Sequence, residues 1–332
     1  MQHMKKPHIV IIGGGTGTYV ALMGLKKYPV DLTAIVTMMD SGGSSGKLRD
    51  ELGVLPPGDV RQCLVALAKS SKRLRDLFMY RFEEGELKGH NFGNIFLSAM
   101  EKVSGSMESA IEEVGDILRI QGKVVPVTYT NSELCVELEN GETIIGETHI
   151  DEVKEKLNRP KIVRAFLKPH AKANKDALSA IQTADLIIIG PGDLYTSIIP
   201  NLLVDGIPRA LQKAQAKKVF VLNLMTKHGQ TTKYTASDHL RDLEQYLGKN
   251  VIDYVLLNTQ KPAMEALEWY KQYNEVQVKD DLETTPYTII RAELLKDKIV
   301  GKSASDTLKR SIIRHDSDKL AKEIIQVINK II

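Results

Sequence analysis

Cysteine is nearly absent from this chain, and its absence removes a zinc-centred fold from consideration. Cys63 and Cys135 are the only two among 332 residues, and they form no CxxC pair or Cys/His cluster with metal-ligand spacing. They read as reduced core thiols. Long apolar runs are also missing: no uncharged stretch approaches the roughly 20 residues of a membrane-spanning helix. No membrane insertion is expected, and a cytoplasmic location is. Lys5 and Lys6 ahead of an apolar stretch imitate the start of a signal peptide, but Gly13 to Gly17 interrupt the segment where its apolar region should continue. Met1-Gln2-His3 ahead of Met4 reads as a leader outside the fold. Charge of one sign is lacking too. The 45 basic and 42 acidic residues leave a net charge of +3, too little to imply a nucleic-acid partner or a membrane surface. Internal repeats, long linkers and low-complexity tracts are absent, and 42% hydrophobic with 26% charged residues is an ordinary globular composition.

Glycine, by contrast, is concentrated where it carries meaning. Three turns fall within the first sixty residues: Gly13, Gly14, Gly15, Thr16 and Gly17; Ser41, Gly42, Gly43, Ser44, Ser45 and Gly46; and Pro56-Pro57-Gly58-Asp59. The first follows the apolar run His8 to Ile12 and precedes Tyr19 to Leu25, which predicts a strand, a tight turn and a helix start. Glycines there let backbone N–H groups approach an anion, and the helix N-terminus adds partial positive charge. The second turn ends the apolar run Leu32 to Met38. Both loops therefore belong at the same edge of a parallel sheet, facing one ligand crevice.

The rest of the chain fits that layout. A helical tract over 60–118, broken by a polar loop at 83–93, is expected as a cap over the sheet edge. Leu64, Leu67, Ala68, Leu74, Leu77, Phe78, Phe82, Ile95, Met100 and Val103 recur in it at helical spacing and read as core. Over 123–150 the period changes to that of strands, with Asn140-Gly141 as a hairpin turn, so an antiparallel excursion is expected there. Strand candidates Ile162 to Leu167, Leu186 to Ile189, Val219 to Leu224 and Tyr254 to Asn258 then alternate with helical stretches such as Asn174 to Thr183 and Ser237 to Leu247. Ile313-Arg314-His315-Asp316 leads into a final amphipathic helix. This is the order of a Rossmann-like, doubly wound, mostly parallel α/β sheet in a single domain over 1–332.

Each candidate site residue has a structural explanation beside its functional one. A dinucleotide enzyme is the first reading to test, because a strand, a glycine-rich turn and a helix begin its fingerprint. Thr18, however, occupies the third glycine position, and a second glycine-rich loop directly follows Asp40, where a ribose-binding acid belongs. A diphosphate suits the loops better, since Lys47, Arg49 and Arg61 add cations to backbone donors and hydroxyls; such residues are also common as plain surface charge. Asp59, with Gln62 three residues on, resembles a capping box and equally suits a metal or hydroxyl partner. His90, Asn91 and Asn94 sit in a polar turn before a helix, as cap residues or as ligand contacts. Gly190, Pro191, Gly192, Asp193, Tyr195 and Ser197 follow the most apolar strand candidate, and Asn223 ends the next; both loops would bring donors to the carboxyl edge of the sheet.

Taken together, Gly13 to Gly17, Asp40 to Arg49, Pro56 to Arg61, Gly89 to Asn94, Gly190 to Asn201, Asn223 to Thr226 and Arg314 to Asp316 resemble the bacterial YvcK-type family of gluconeogenesis factors. The resemblance implies a CofD-like fold, shared with transferases that move 2-phospho-L-lactate onto a deazaflavin precursor. It also implies UDP-sugar binding, a part in cell shape and envelope precursor supply during gluconeogenic growth, and a homodimer. On that basis Asp40, Asn91 and Asn94 would contact sugar or ribose hydroxyls. If the chain is a transferase instead, Asp40 and Asp59 would hold Mg²⁺ or orient the acceptor. Two residues depart from the family pattern. Ser41 stands where a second acid is common, which weakens a Mg²⁺ site held by only one or two carboxylates, and Asp193 stands where serine is usual, which would repel a phosphate if it pointed inward.

Overall fold

The structure, a computed structural model, describes residues 6–153, 159–297 and 311–331; the leader read at Met1-Gln2-His3 lies outside them. Strand β1 (His8–Gly13) is followed by helix α1 (Gly15–Leu25), strand β2 (Asp31–Val36) and helices α2 (Gly43–Leu52), α3 (Gly58–Leu67), α4 (Lys72–Met79), α5 (Phe92–Ser104) and α6 (Met107–Leu118). Strands β3 (Lys123–Pro126), β4 (Glu133–Leu138) and β5 (Thr143–Ile145) precede a short helix, α7 (Glu147–Asp151), and strand β6 (Ile162–Lys168). Helix α8 (Lys175–Thr183), strand β7 (Leu186–Ile189), helices α9 (Ile199–Leu202) and α10 (Ile207–Lys213) and strand β8 (Lys217–Val221) come next. Helix α11 (Ala236–Leu247), strand β9 (Tyr254–Asn258), helix α12 (Met264–Lys271), strand β10 (Thr288–Ala292) and helix α13 (Ser317–Ile331) complete the described chain.

Seven strands form one sheet in the order β10-β9-β8-β7-β1-β2-β3, and every neighbouring pair in it is parallel. The chain winds from β1 outward to β3, then returns to β7 and winds the other way. The reversal falls between β1 and β7, and in open α/β sheets ligands bind outside the carboxyl ends of the strands at this switch point. Helices cover both faces, so the strands carry apolar residues on both sides. Ile9 to Ile12 in β1 and Leu186 to Ile189 in β7 are fully buried. Helix α1 packs against α3 and α13, and α13 contributes Leu320, Ala321, Ile324, Val327 and Ile328 at helical spacing to that contact face. Truncating one of these, such as Ile324→Ala, removes about 2–5 kcal/mol of stability.

The sheet corrects the expected boundaries of the antiparallel excursion. Lys123–Pro126 pairs in parallel with β2, and the excursion is instead a second sheet in the order β5-β4-β6, with β4 antiparallel to both neighbours. Ile162 to Leu167 thus leaves the parallel set, and β10, unread in the sequence, joins it. The helical tract is as expected in position but not purely a cap: α3 is buried along nearly its whole length against the sheet. Leu77 and Val103 are 42% and 84% exposed, because α4 and α5 lie at the surface and these positions fall on their outward sides.

Candidate functional site

A single cleft runs along the carboxyl edge of the sheet, and the turns after β1, β2, β7 and β8 all line it. Gly14 caps α1, and Gly14, Gly15, Thr16 and Gly17 face the cleft. Two glycines make room for carboxylates: a Cβ on Gly14 would run into the Asp59 carboxylate, and one on Gly58 into the Asp40 carboxylate and the Ser45 hydroxyl. The backbone and the acids are therefore in close contact, and any larger residue at 14 or 58 would displace an acid. Gly13 ends β1 and Thr18 is fully buried behind the turn, so neither reaches the cleft.

The second loop and the helical tract meet in one hydrogen-bond network. Asp40 Oδ1 accepts the Gly42 N–H at 2.9 Å, and Gly42 caps α2. Asn91 N–H donates to Ser44 Oγ at 3.1 Å, His90 Nδ1 lies 3.3 Å from the same hydroxyl, and Asn94 Nδ2 donates to Ser45 Oγ at 3.3 Å. Arg61 Nε donates to Asn94 Oδ1 at 2.7 Å. Asn91 Oδ1 accepts the Asn94 N–H at 3.2 Å and so caps α5. The cap expected at Asp59 does not form. Helix α3 begins two residues earlier than such a cap requires, with Pro57 at its cap position and no side-chain cap bond, which leaves Asp59 in the first turn, lining the cleft.

Of the second loop, Gly42, Ser44, Ser45 and Asp40 line the cleft, whereas Gly43 and Gly46 lie in the body of α2. Lys47 is exposed on the far side of that helix, and Arg49 pairs with Asp50 at 2.9 Å and Glu133 at 3.8 Å. These two expected cations do not face the cleft, because α2 presents its first turn to it and carries both residues past it. Among the described residues, the cations that face it are Arg61, Arg81, Lys227 and Arg314.

Beyond β7, Gly192, Asp193, Thr196 and Ser197 line the cleft, the last two on one wide helical turn, Leu194–Ile198, with i→i+5 spacing. Gly190 stays behind them at the strand end. Tyr195, read as a ligand contact, points into the core instead. Its hydroxyl donates to Asp242 Oδ2 at 2.7 Å, as does that of Tyr234. Asn223 reaches the cleft and donates from Nδ2 to the Gly192 carbonyl at 2.8 Å.

The remaining wall was not legible in the sequence. Helix α7, delivered by the antiparallel sheet, lies across the cleft and is held from both sides. Thr148 N–H donates to Ser41 Oγ at 3.0 Å, while Lys227 Nζ meets Asp151 at 3.0 Å and Asp193 at 3.6 Å. Gln230 Nε2 donates to Asp151 Oδ1 at 2.9 Å. Ser41 and Asp193 thus both serve this element: Ser41 anchors α7 directly, and Asp193 shares a cation with it. Burial works against charge on Lys227, but Asp193 and Asp151 outweigh it and hold the ammonium above the ordinary lysine range. Burial likewise pushes the Asp193 carboxyl up, and Lys227 partly offsets this.

Glu147, on α7, brings a further carboxyl toward Asp40 and Asp59. Burial first, then the charges of Asp40, Asp151 and Asp59, push it well above the usual carboxylate range. Among the described lining residues, carboxyl groups outnumber guanidinium and ammonium groups. Among the described residues no group of three or more His, Cys, Asp or Glu side chains is arranged as a metal cage.

A match to the family model described as 2-phospho-L-lactate transferase CofD runs over residues 9–295, from β1 to the segment after β10. The chain belongs to the CofD family. A Thermotoga maritima member is 45% identical over 97% of this chain and 99% of its own. The Bacillus subtilis (strain 168) member named gluconeogenesis factor is 41% identical over 98% and 99%. A crystal structure of a UPF0052 family protein from Bacillus halodurans superimposes with a TM-score of 0.88 at 38% identity, covering 97% of this chain and 99% of that one. The doubly wound sheet and the small antiparallel sheet are thus the fold of this family. Among the described residues no helix is long and apolar enough to cross a membrane.

Proposed function

We propose that the chain is a cytoplasmic factor that binds a nucleotide diphosphate sugar, of the UDP-sugar class, in the switch-point cleft. One observation carries this reading: backbone turns from four strand ends converge on a cleft whose far walls hold carboxylates and amides. A diphosphate needs several N–H donors and a few cations, which Gly14 to Gly17, Gly192, Arg61 and Lys227 can supply. Sugar and ribose hydroxyls need carboxylate and amide partners, which Asp40, Asp59 and Asn94 offer. Asn91 supports them from behind as a helix cap. The gluconeogenesis-factor name of the Bacillus subtilis relative supports a part in gluconeogenic growth, and our reading extends that part to envelope precursor supply and cell shape. Calorimetric titration with UDP-N-acetylglucosamine tests the binding: saturable heat is expected, and heat indistinguishable from dilution at millimolar ligand overturns it.

The excess of acid in the cleft favours one second reading, a CofD-type phosphotransferase. Asp40 and Asp59, each pressed against a glycine, form a donor set that fits Mg²⁺ entering with a diphosphate, since that ion uses only one or two carboxylates with phosphate oxygens. Bound there, Mg²⁺ would neutralise phosphate charge that these carboxylates would otherwise repel. The chain's own part is to hold the phosphates on the glycine turns and to orient an acceptor hydroxyl toward them through Asp59. Incubation with a nucleotide-activated phospholactate and the deazaflavin acceptor separates the readings, because metal-dependent product is expected only of the transferase.

A further inference from the structure

Helix α7 is held over the cleft differently from the other walls. The turns after β1, β2, β7 and β8 continue strands of the central sheet, whereas α7 follows β5 of the small antiparallel sheet. It packs on β4 and β5 and touches the wide turn Leu194–Ile198, and Ile150 is its one buried residue. The bonds that tie it to the two sides of the cleft are few and polar. On one side the Ser41 hydroxyl accepts the Thr148 N–H at 3.0 Å and lies 3.2 Å from Thr148 Oγ1, and the Glu147 carboxyl accepts the Ser41 backbone N–H. On the other, Asp151 takes Lys227 at 3.0 Å and Gln230 at 2.9 Å.

The joint into α7 is Gly146, whose φ of +94° lies where glycine alone moves freely. Its N–H is donated to the Leu134 carbonyl on β4 at 2.8 Å, so the chain is fixed just before the helix and turns at this residue. With α7 in place the cleft encloses about 240 Å³, below the roughly 300–1,000 Å³ of pockets that take drug-sized ligands. A nucleotide diphosphate sugar needs more room than that. Lys227 is also claimed twice, because Asp151 holds it here and a diphosphate in the cleft would draw on the same ammonium.

We infer that α7 is an autoinhibitory strap: latched to Ser41 and Lys227 it keeps the ligand out, and it swings away about Gly146 when a nucleotide diphosphate sugar binds. The inference rests on the nucleotide-sugar reading above and adds a control on access to that site. The latched and the ligand-bound states exclude each other through space and through Lys227. Apparent affinity is then the intrinsic affinity reduced by the fraction of molecules with the strap open.

A disulfide across the latch tests this directly. Ser41→Cys/Thr148→Cys places two sulfurs where the hydroxyl oxygens are 3.2 Å apart, and the native Cys63 and Cys135 are buried and do not compete. The oxidised double variant is expected to bind UDP-N-acetylglucosamine at least tenfold more weakly than the same protein after reduction. Equal binding by the two forms, or failure of the thiols to pair under oxidant, overturns the strap. Ser41→Ala gives a second, charge-neutral test, since it removes the latch hydroxyl and leaves Lys227 untouched. Stopped-flow and calorimetric titration should show it binding UDP-N-acetylglucosamine roughly two- to tenfold faster and tighter than the unaltered chain, the range that one hydrogen bond gives. A residue that merely shaped the site or touched the ligand would weaken binding when truncated, and that result contradicts the inference while leaving nucleotide-sugar binding in place. Failure of the unaltered chain and of both reduced variants to bind would overturn both readings.

Discussion

The two halves of the cleft are built on different principles. At the ends of β1 and β2 the backbone itself forms the wall, with glycines that let carboxylates and N–H groups come close. At the ends of β7 and β8 the wall is made of side chains from distant segments: Glu147 and Asp151 from α7, Asp193, Lys227, and His315 just before α13. A backbone-built half needs a short run of particular residues and so leaves a compact motif in the sequence. A half built from side chains also gathers single residues through the fold, so that Glu147, Asp151 and Lys227 leave no motif beside the legible turns at Gly190 to Ser197 and Asn223.

Substitutions should separate the halves by the kind of damage they do. The largest effect is expected at Lys227, whose ammonium serves two carboxylates. Lys227→Met leaves both short of a partner and should cost about 3 kcal/mol in urea denaturation at neutral pH, reduced somewhat by the partial exposure of Asp193. Unchanged stability would mean that charge pairing does not hold the second half together. Next comes Gly17→Ala in the first half. Its new Cβ would collide with the Pro191 backbone carbonyl, and a loss of about 2 kcal/mol is expected, together with loss of UDP-N-acetylglucosamine binding. Full retention of binding would show that the turn tolerates movement away from Pro191.

Glu147 sharpens the comparison through pH. Its folded carboxyl keeps its proton well above the ordinary value of 4.5, whereas the unfolded chain releases it near that value. Stability contributed by this group is therefore present at low pH and is lost as pH rises from 4.5 through the raised folded value. Urea midpoints of the unaltered chain should fall more between pH 5 and pH 8 than those of Glu147→Gln; parallel profiles would contradict the burial of this carboxyl. The smallest effects are expected from Ser41 and Lys47. Ser41→Ala removes the hydroxyl that holds α7 and should cost about 1 kcal/mol, while Lys47→Ala, on the exposed side of α2, should change stability by less than about 0.5 kcal/mol and leave nucleotide binding unaltered.

The same contrast explains what could be read from the sequence. Strands β1, β2, β7 and β9 were legible because buried parallel strands are continuous apolar runs bounded by glycine or polar turns. Strand pairing was not, since the period of two is the same in parallel and antiparallel ladders. Lys123–Pro126 and Ile162–Lys168 therefore exchanged places between the sheets. Strand β10, with no fully buried residue, had too weak a pattern to be recognised. Within the cleft, Gly14 to Gly17, Asp40, Asp59, Arg61 and Asn94 came from motifs. Lys47 and Arg49 were drawn in by proximity along the chain, but helical rotation carried them away. Tyr195 was drawn in by its place in a loop motif, although its ring is needed in the core beside Asp242. Glu147 and Lys227 gave no local signal, because what makes them notable is each other's neighbours across the fold.

A structure of the chain crystallised with UDP-N-acetylglucosamine tests the central claim most directly. The account expects diphosphate density over the Gly14 to Gly17 turn, with the sugar toward Asp40 and Asp59. Density for the nucleotide on another surface, or a cleft without it at saturating ligand, would contradict the account.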